Sequence, residues 1–310
     1  MFRILVIRLG SLGDVIHALP AVASLKHSFP HSHLSWIIKP QWIPVLKDNP
    51  FIDEIIPYQR TAAGIAQAWA RLRQERFQLA VDLQGLMQSA LVAAAARPEK
   101  IVGLDRTQAR EPLAALMYST VVHTTALHRV DQYLEIAAAA GATNTVTTFP
   151  LPPGEAEGAL PEGRFVLACP LAGWASKQWP LEYYEELAAA LKVPLVINGS
   201  PGAAETLARV NGAHLHISGV SGLIHATRRA TAVVGVDSGP LHLAAALSKR
   251  GVAIYGPTDP AAHGPYGGTI RVLRSPDAIT SYKRRDTEDP SMRAIQPGEV
   301  LDILHQEHLA

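Results

Sequence analysis

The chain has 310 residues, enough for roughly two domains at about 150 residues each. Lysine plus arginine number 28 and aspartate plus glutamate 27; the resulting net charge of +1 excludes a protein that coats a nucleic acid polymer or another polyanion, while leaving room for a local basic patch. Apolar residues make up 48% and charged residues 18%, too apolar for disorder, and the single cysteine, Cys169, excludes a disulfide scaffold and a multi-cysteine metal site.

Short apolar runs predict strands at 3–8, 34–38, 78–83, 100–103, 165–169, 194–198, 214–217, 232–236 and 251–255. Between them, 3.6-residue spacing predicts helices such as 15–28, 64–76, 181–191 and 241–248, and a final amphipathic helix at 297–308. Strands alternating with helices predict parallel sheets covered on both faces, and near-continuous apolar strands fit burial on both sides. The run 3–8 is too short for the core of a signal peptide. The most apolar long stretch, 79–96, contains Asp82, Gln84 and Gln88, so no membrane-spanning helix is expected and the chain reads as cytoplasmic.

Residues 149–163 hold four prolines and three glycines, which break both helices and sheet ladders. The expected organisation is a first α/β domain at 1–150, a linker at 151–163, a second α/β domain at 164–290 and a terminal segment at 291–310.

Three strand exits carry candidate chemistry. In Arg8-Leu-Gly-Ser-Leu-Gly-Asp14-Val-Ile-His17, a strand enters a glycine turn that opens a helix, which lets a ligand approach the backbone. Asp14 is either a helix cap or a functional carboxylate. The spacing Gly10-x-x-Gly13, without an acidic residue closing the next strand, disfavours a nicotinamide cofactor. In Gly235-Val-Asp237-Ser238-Gly239-Pro240-Leu241-His242, amides of Ser238, Gly239 and Leu241 are expected to face an anion, with His242 as a possible cation; an ordinary cap and a satisfied helix histidine are the other reading. In Trp174-Ala-Ser-Lys177-Gln-Trp179-Pro180, Lys177 is either an exposed lysine or a ligand group at the carboxyl end of a strand. Asp82-Leu-Gln-Gly85, Thr107-Gln-Ala-Arg110-Glu-Pro and Tyr255-Gly-Pro-Thr258-Asp259-Pro260 each read as polar turns. There is no Asp-x-Asp, P-loop or His-Glu-x-x-His; His31-x-His33 and His214-x-His216 lack an evident third ligand, so no metal and no cofactor are expected.

Taken in order, Gly13-Asp14-Val with His17-Ala-Leu-Pro, Asp82-Leu-Gln-Gly-Leu, Lys177-Gln-Trp-Pro, Val236-Asp237-Ser238-Gly239-x-x-His242 and Tyr255-Gly-Pro-Thr-Asp-Pro resemble glycosyltransferase family 9, the ADP-heptose lipopolysaccharide heptosyltransferases. The segment 107–118 resembles heptosyltransferase I most closely. The resemblance implies a GT-B fold: two Rossmann-like parallel-sheet domains facing a central cleft, with the C-terminal helix crossing back to the first. It implies an inverting, metal-independent enzyme, peripheral at the cytoplasmic face of the inner membrane, that moves heptose from ADP-heptose to Kdo of Kdo-lipid A without a required protein partner.

By the same resemblance, Asp14 would be the general base and Lys177 would act on the leaving diphosphate. Gly13, Asp237, Ser238, Gly239, Leu241 and His242 would hold the donor; Val220, in the loop Ser218-Gly219-Val220, would border adenine, and Glu205 would reach the ribose. Arg110, Arg60 and His128 would hold the acceptor. The chain departs from the pattern in four places, one of them Ser291-Met292-Arg-Ala-Ile295, which lacks the cysteines common before a final Met-x-x-Ile. Ala172-Gly173 stands where a threonine pair is common, the loop after Pro57 has Arg60 but no basic cluster, and Glu205 falls late. Alternatives are another family 9 transferase (heptosyltransferase II, III or a different donor), a non-catalytic nucleotide-binding protein, and a nucleotide-sugar epimerase.

Overall fold

The computed structural model describes residues 1–309, which divide into two compact units at Pro152/Pro153. In the first unit the strands are β1 (Arg3–Ile7), β2 (His33–Ile38), β3 (Glu54–Pro57), β4 (Leu79–Asp82), β5 (Lys100–Leu104) and β6 (Thr120–Val122). They form one parallel sheet in the order β3-β2-β1-β4-β5-β6. Its helices are α1 (Leu12–Ser28), α2 (Ala62–Gln74), α3 (Met87–Ala95) and α4 (Arg129–Ala139). In the second unit, β7 (Val166–Cys169), β8 (Leu195–Gly199), β9 (His214–Ile217), β10 (Ala232–Val236), β11 (Gly251–Tyr255) and β12 (Ile270–Arg274) run parallel in the order β12-β11-β10-β7-β8-β9. Its helices are α5 (Leu181–Ala190), α6 (Ala204–Leu207), α7 (Val220–Arg229), α8 (Gly239–Ala246), α9 (Pro260–His263), α10 (Pro290–Arg293) and α11 (Pro297–Gln306).

Both sheets reverse their winding next to the first strand of the unit, between β1 and β4 and between β7 and β10. At such a switch point the loops leaving the two strands diverge and open a crevice at the carboxyl edge. The strands there are buried and apolar apart from Arg3 at the start of β1 and Asp82 at the end of β4, because helices cover both faces. Helix α1 is apolar all round from Leu12 to Leu25 and buried throughout that stretch except at Asp14, as a helix wedged between a sheet and α4 must be.

Met292, Ile295, Val300, Leu304 and Leu309 are buried in one cluster with Val166, Trp179 and Tyr184, so α11 completes the second unit's own core. Trp179 fixes it further by donating its indole N–H to the Ile295 carbonyl at 2.9 Å. The proline-rich stretch differs from a free linker. From Pro153 on it is fastened along β9 and α7: the Glu157 carboxylate accepts the Gly219 and Gly222 amides at 2.6 and 2.9 Å. His216 and His214 hold the Glu157 and Ala159 carbonyls at 2.6 and 2.9 Å. Proline has no amide hydrogen for a ladder, but the Glu157, Ala159 and Pro161 carbonyls of this stretch accept from His216, His214 and Arg229.

Candidate active site

In the first unit the candidate groups gather at the carboxyl ends of β1, β4 and β5. Gly10 turns the chain out of β1 with φ +145°, and any Cβ there would collide with the Trp42 indole, so only glycine fits. The turn places Asp14 in the first turn of α1. Its Oδ2 accepts the Ser11 hydroxyl at 2.9 Å and the Ser11 amide at 3.2 Å, and forms an ion pair with Arg8. Oδ1 has no hydrogen-bond partner among the described residues. Arg8 lies almost wholly buried, donates to the Leu83 carbonyl at 2.9 Å and sits 5.7 Å over the Tyr133 ring. Burial alone would raise the Asp14 pKa; the Arg8 and His17 charges and the Ser11 hydrogen bonds overcome it and hold the carboxyl well below the usual carboxylate range.

His17, one turn further along α1, is buried edge-on against His128, with ring centres 5.5 Å apart. The His128 Nδ1 accepts the Val130 amide at 3.1 Å and caps α4. A neutral His128 therefore carries its proton on Nε2. Asp82 is not a surface carboxylate. It is fully buried and receives Tyr118 Oη at 2.7 Å and the Gln84 and Gly85 amides at 2.8 and 3.3 Å. Gly103 permits this, because a Cβ there would strike the Tyr118 ring. Burial pushes the Asp82 pKa up. The turn it stabilises reaches the Asp14 loop through Gln84, which accepts the Leu9 amide at 2.7 Å.

Arg110 lies on the same edge: the Gly85 carbonyl accepts the Glu111 amide at 3.0 Å. Its guanidinium is exposed and has no ion-pair partner among the described residues. Thr107 donates its hydroxyl and amide to Asp105 at 2.7 and 2.8 Å, with His123 beside it; these hold the Asp105 pKa at about 2 and fix the turn that presents Arg110. Arg60 is exposed just beyond Tyr58, whose hydroxyl accepts Gln88 of α3 at 3.0 Å.

In the second unit the groups gather after β7, β10 and β11, which are neighbours in the sheet. Asp237 leaves β10 nearly buried and accepts Lys177 Nζ at 2.9 Å on Oδ2, with His242 Nε2 3.5 Å from Oδ1. Burial opposes ionisation, yet His242 and Lys177 hold the Asp237 pKa well below the ordinary range. The Trp174 ring has Lys177 at 4.9 Å and Arg284 at 5.5 Å, two cations on one indole.

Three hydroxyls in these loops, Ser176 Oγ, Ser238 Oγ and Thr258 Oγ1, are buried without a hydrogen-bond partner. An orphaned buried hydroxyl costs about 1–3 kcal/mol unless something fills the position. The loop at 174–180 therefore supplies a hydroxyl, Ser176, although Ala172-Gly173 lacks two. In the sequence Arg8, His17, Ser176 and Thr258 read only as members of motifs, without a role, and Arg284 is missed.

Some expectations need correction. The Leu241 amide is not aimed at an anion: it donates to the Ser238 carbonyl at 3.2 Å, and the side chain is core. Gly239 is left as the first helical amide of α8, since Pro240 has none. Gly13 is buried in the first turn of α1. Glu205 lies on the exposed turn α6 and pairs with Arg209 at 3.4 Å. Val220 begins α7, between the Gly219 and Gly222 amides that Glu157 accepts. Cys169 is buried, which pushes its thiol up to about 12, so no thiolate nucleophile is available there. His33, His214 and His216 contact Glu54, the Ala159 carbonyl and the Glu157 carbonyl. Among the described residues no three His, Cys, Asp or Glu side chains come together.

Two doubly wound parallel units in one chain, each with polar groups on its switch-point loops, give the architecture of the GT-B fold. Residues 65–292 match glycosyltransferase family 9 (heptosyltransferase), and the chain belongs to that family. It is a glycosyltransferase. It is 29% identical to lipopolysaccharide heptosyltransferase 1 of Pseudomonas aeruginosa, over 86% of this chain and 81% of that one. It is 27% identical to lipopolysaccharide heptosyltransferase 1 of Escherichia coli K12, over 88% and 94%. The structure of the E. coli heptosyltransferase WaaC with ADP is similar in fold, with TM-score 0.79 at 23% identity over the whole of both chains.

Proposed function

We propose that the chain transfers L-glycero-D-manno-heptose from ADP-heptose to Kdo of Kdo-lipid A, inverting the anomeric centre without a metal. The donor and acceptor are carried over from the heptosyltransferase 1 relatives; the observation that favours transfer chemistry is the one-sided anchoring of Asp14. An inverting transfer needs one base for the acceptor hydroxyl. Asp14 Oδ2 is occupied and Oδ1 is open, so the carboxylate is oriented and ionised, with one free lone-pair edge.

The step is a single displacement. The acceptor oxygen bonds to the anomeric carbon, its proton passes to Asp14 Oδ1, and the carbon–oxygen bond to the β-phosphate breaks. The sugar is oxocarbenium-like at the transition state. Its departing ADP gains negative charge, which Lys177, Arg284 and the Gly239 amide are suited to offset. Ser176, Ser238 and Thr258 are the hydroxyls we assign to the diphosphate oxygens. Asp237 is a positioning residue that holds Lys177 and His242. Arg110 suits the Kdo carboxylate through a bidentate contact, with Arg60 and His128 as further acceptor groups.

No helix among the described residues is long and apolar enough to cross a membrane, which is compatible with the peripheral, cytoplasmic-face enzyme we infer. A second reading, transfer to a differently substituted acceptor, is favoured by the single Arg60 after β3. ADP release from ADP-L-glycero-β-D-manno-heptose, with and without delipidated Kdo₂, tests the proposal. Release that needs Kdo₂ and is lost in Asp14→Asn supports it; release with another sugar acceptor but not Kdo₂ moves the specificity to the second reading.

A further inference from the structure

The connections after β4 and β5 both run from the carboxyl end of one parallel strand to the amino end of the next. Helix α3 and the turn of 3-10 helix at Pro112–Met117 therefore descend side by side over one face of the first unit's sheet. Between them Ala90, Ala114, Ala115 and Tyr118 close a small buried cluster. The outward positions are leucines: Leu91 is 48% exposed, Leu113 64% and Leu116 80%. Every side chain of Pro112–Met117 is apolar, and two of its largest face water.

The charges around this ridge are one-sided. Arg106 and Arg110 lie on the loop that enters it, and Arg97 stands at the exit of α3. All three are exposed and none has an ion-pair partner among the described residues. Of the neighbouring acids, Glu99 pairs with Arg76 at 3.2 Å and Asp105 is tied to Thr107 and His123, so Glu111, which accepts the Met87 amide at 2.6 Å and keeps its charge, is the one of these three left to set against three arginines. Exposed leucines flanked at both ends by uncompensated arginines are the composition of an interfacial anchor, whereas the centre of a protein interface is enriched in aromatic residues.

We propose that this face of the first unit docks on an anionic lipid bilayer. Leu91, Leu113 and Leu116 enter the boundary between headgroups and acyl chains, and Arg97 and Arg106 contact lipid phosphates, while Arg110 at the rim is left for the acceptor. The proposal deepens the reading of the acceptor as lipid-borne and rests on it for its purpose. The docking itself can be measured without any turnover.

The test is co-sedimentation of the full chain with vesicles of phosphatidylethanolamine and phosphatidylglycerol, against vesicles of phosphatidylcholine alone. The expected result is binding to the anionic vesicles that weakens with salt, and a bound fraction about tenfold lower in Leu113→Ser/Leu116→Ser, as loss of two inserted leucines requires. Turnover of the soluble delipidated acceptor by the double variant stays unchanged. Because the only native cysteine is buried, Leu116→Cys accepts an environment-sensitive dye selectively, and its emission shifts to the blue on anionic vesicles. Undiminished vesicle binding by the double variant, or a dye that remains in water on vesicle-bound protein, overturns the proposal. So does a double variant whose only change is in self-association, which would make the ridge a contact between copies. Loss of Kdo transfer with vesicle binding intact would overturn the acceptor reading and leave the docking surface standing.

Discussion

Arg8 and Asp14 meet across the glycine turn between β1 and α1, the guanidinium paired with Oδ2 of the carboxylate. The arginine is the buried partner, at 7% side-chain exposure, while Asp14 retains 29%. The pair thus holds an ionised carboxylate that is still part-exposed, with its hydrogen bonds from Ser11 on the same oxygen.

This geometry sets a pH expectation. A carboxyl whose pKa is depressed in the folded protein contributes stability that is present above its unfolded value, about 3.9, and is lost as pH falls through the lower folded value. The base is therefore ionised across the neutral range, and the wild-type kcat/KM has no acid limb from Asp14 above about pH 4. In Arg8→Met the burial effect is unopposed by the guanidinium, and an acid limb should emerge above about pH 4. A pH–rate profile with soluble acceptor checks this; a profile that does not move removes Asp14 as the titrating base.

Asp14→Asn should lower kcat by about 10²–10⁴-fold with little change in donor affinity, because the amide retains the shape and loses the proton acceptor. Single-turnover kinetics beside donor titration calorimetry would separate the two. Full turnover with both substrates bound would contradict the role of Asp14.

The three unpartnered hydroxyls predict opposite responses of stability and binding. Ser176→Ala and Thr258→Val each remove a buried group that has no partner, so unfolding free energy should hold or rise by about 1 kcal/mol. Donor affinity should fall about three- to tenfold, the net worth of one ordinary hydrogen bond. Denaturant titration and ADP binding measure both. A residue with only a structural role would lower the stability and leave ADP alone.

Asp237→Asn should weaken both donor binding and the fold. Removing one member of a buried pair costs about 3–5 kcal/mol, and the 15% exposure of Lys177 places this case near the lower end. The Asp237 pKa is depressed, so its contribution is present above about pH 3.9 and lost in acid; the variant should therefore show a flatter stability profile below pH 5 than wild type. Thermal unfolding at a series of pH values reads this directly.

Glu157→Gln should loosen the strap at 153–163 rather than unfold the unit. The carboxylate satisfies two amides at the N-terminus of α7, worth about 1 kcal/mol together with the helix dipole. Limited proteolysis should cut the variant in this stretch faster than wild type. Equal cleavage rates would show that the histidine contacts alone hold it.

The strands that line both switch points were legible in the sequence, because a parallel strand buried on two faces must be a continuous apolar run. β1, β4, β7, β10 and β11 all lie within the expected segments. Of the sheet edges, β9 was legible at 214–217 and the other three were not. β3, β6 and β12 are part-exposed, and Glu54, Thr120 and Arg271 interrupt any apolar signal. Only pairing to a neighbour makes them strands. Helix α3 escaped periodic reading for a different reason: Met87–Ala95 is apolar on nearly every side.

The candidate site divides in the same way. Asp14, Lys177 and Asp237 stand next to glycine turns at predicted strand ends, and local sequence determines that position because a parallel sheet delivers every strand exit to one edge. Which groups act on them is a matter of sequence-distant packing. Tyr133 comes from α4 to cover Arg8, Tyr118 crosses to Asp82, and Glu157 reaches forward to α7. Even Arg8, a near neighbour of Asp14 in the chain, reads only as the end of a strand until burial denies its charge water. Local sequence thus decided the elements and the positions of the loops. The tertiary structure alone decided charge pairing, orphaned hydroxyls and the destination of α11, since these depend on what burial removes from solvent and on which distant side chain replaces it.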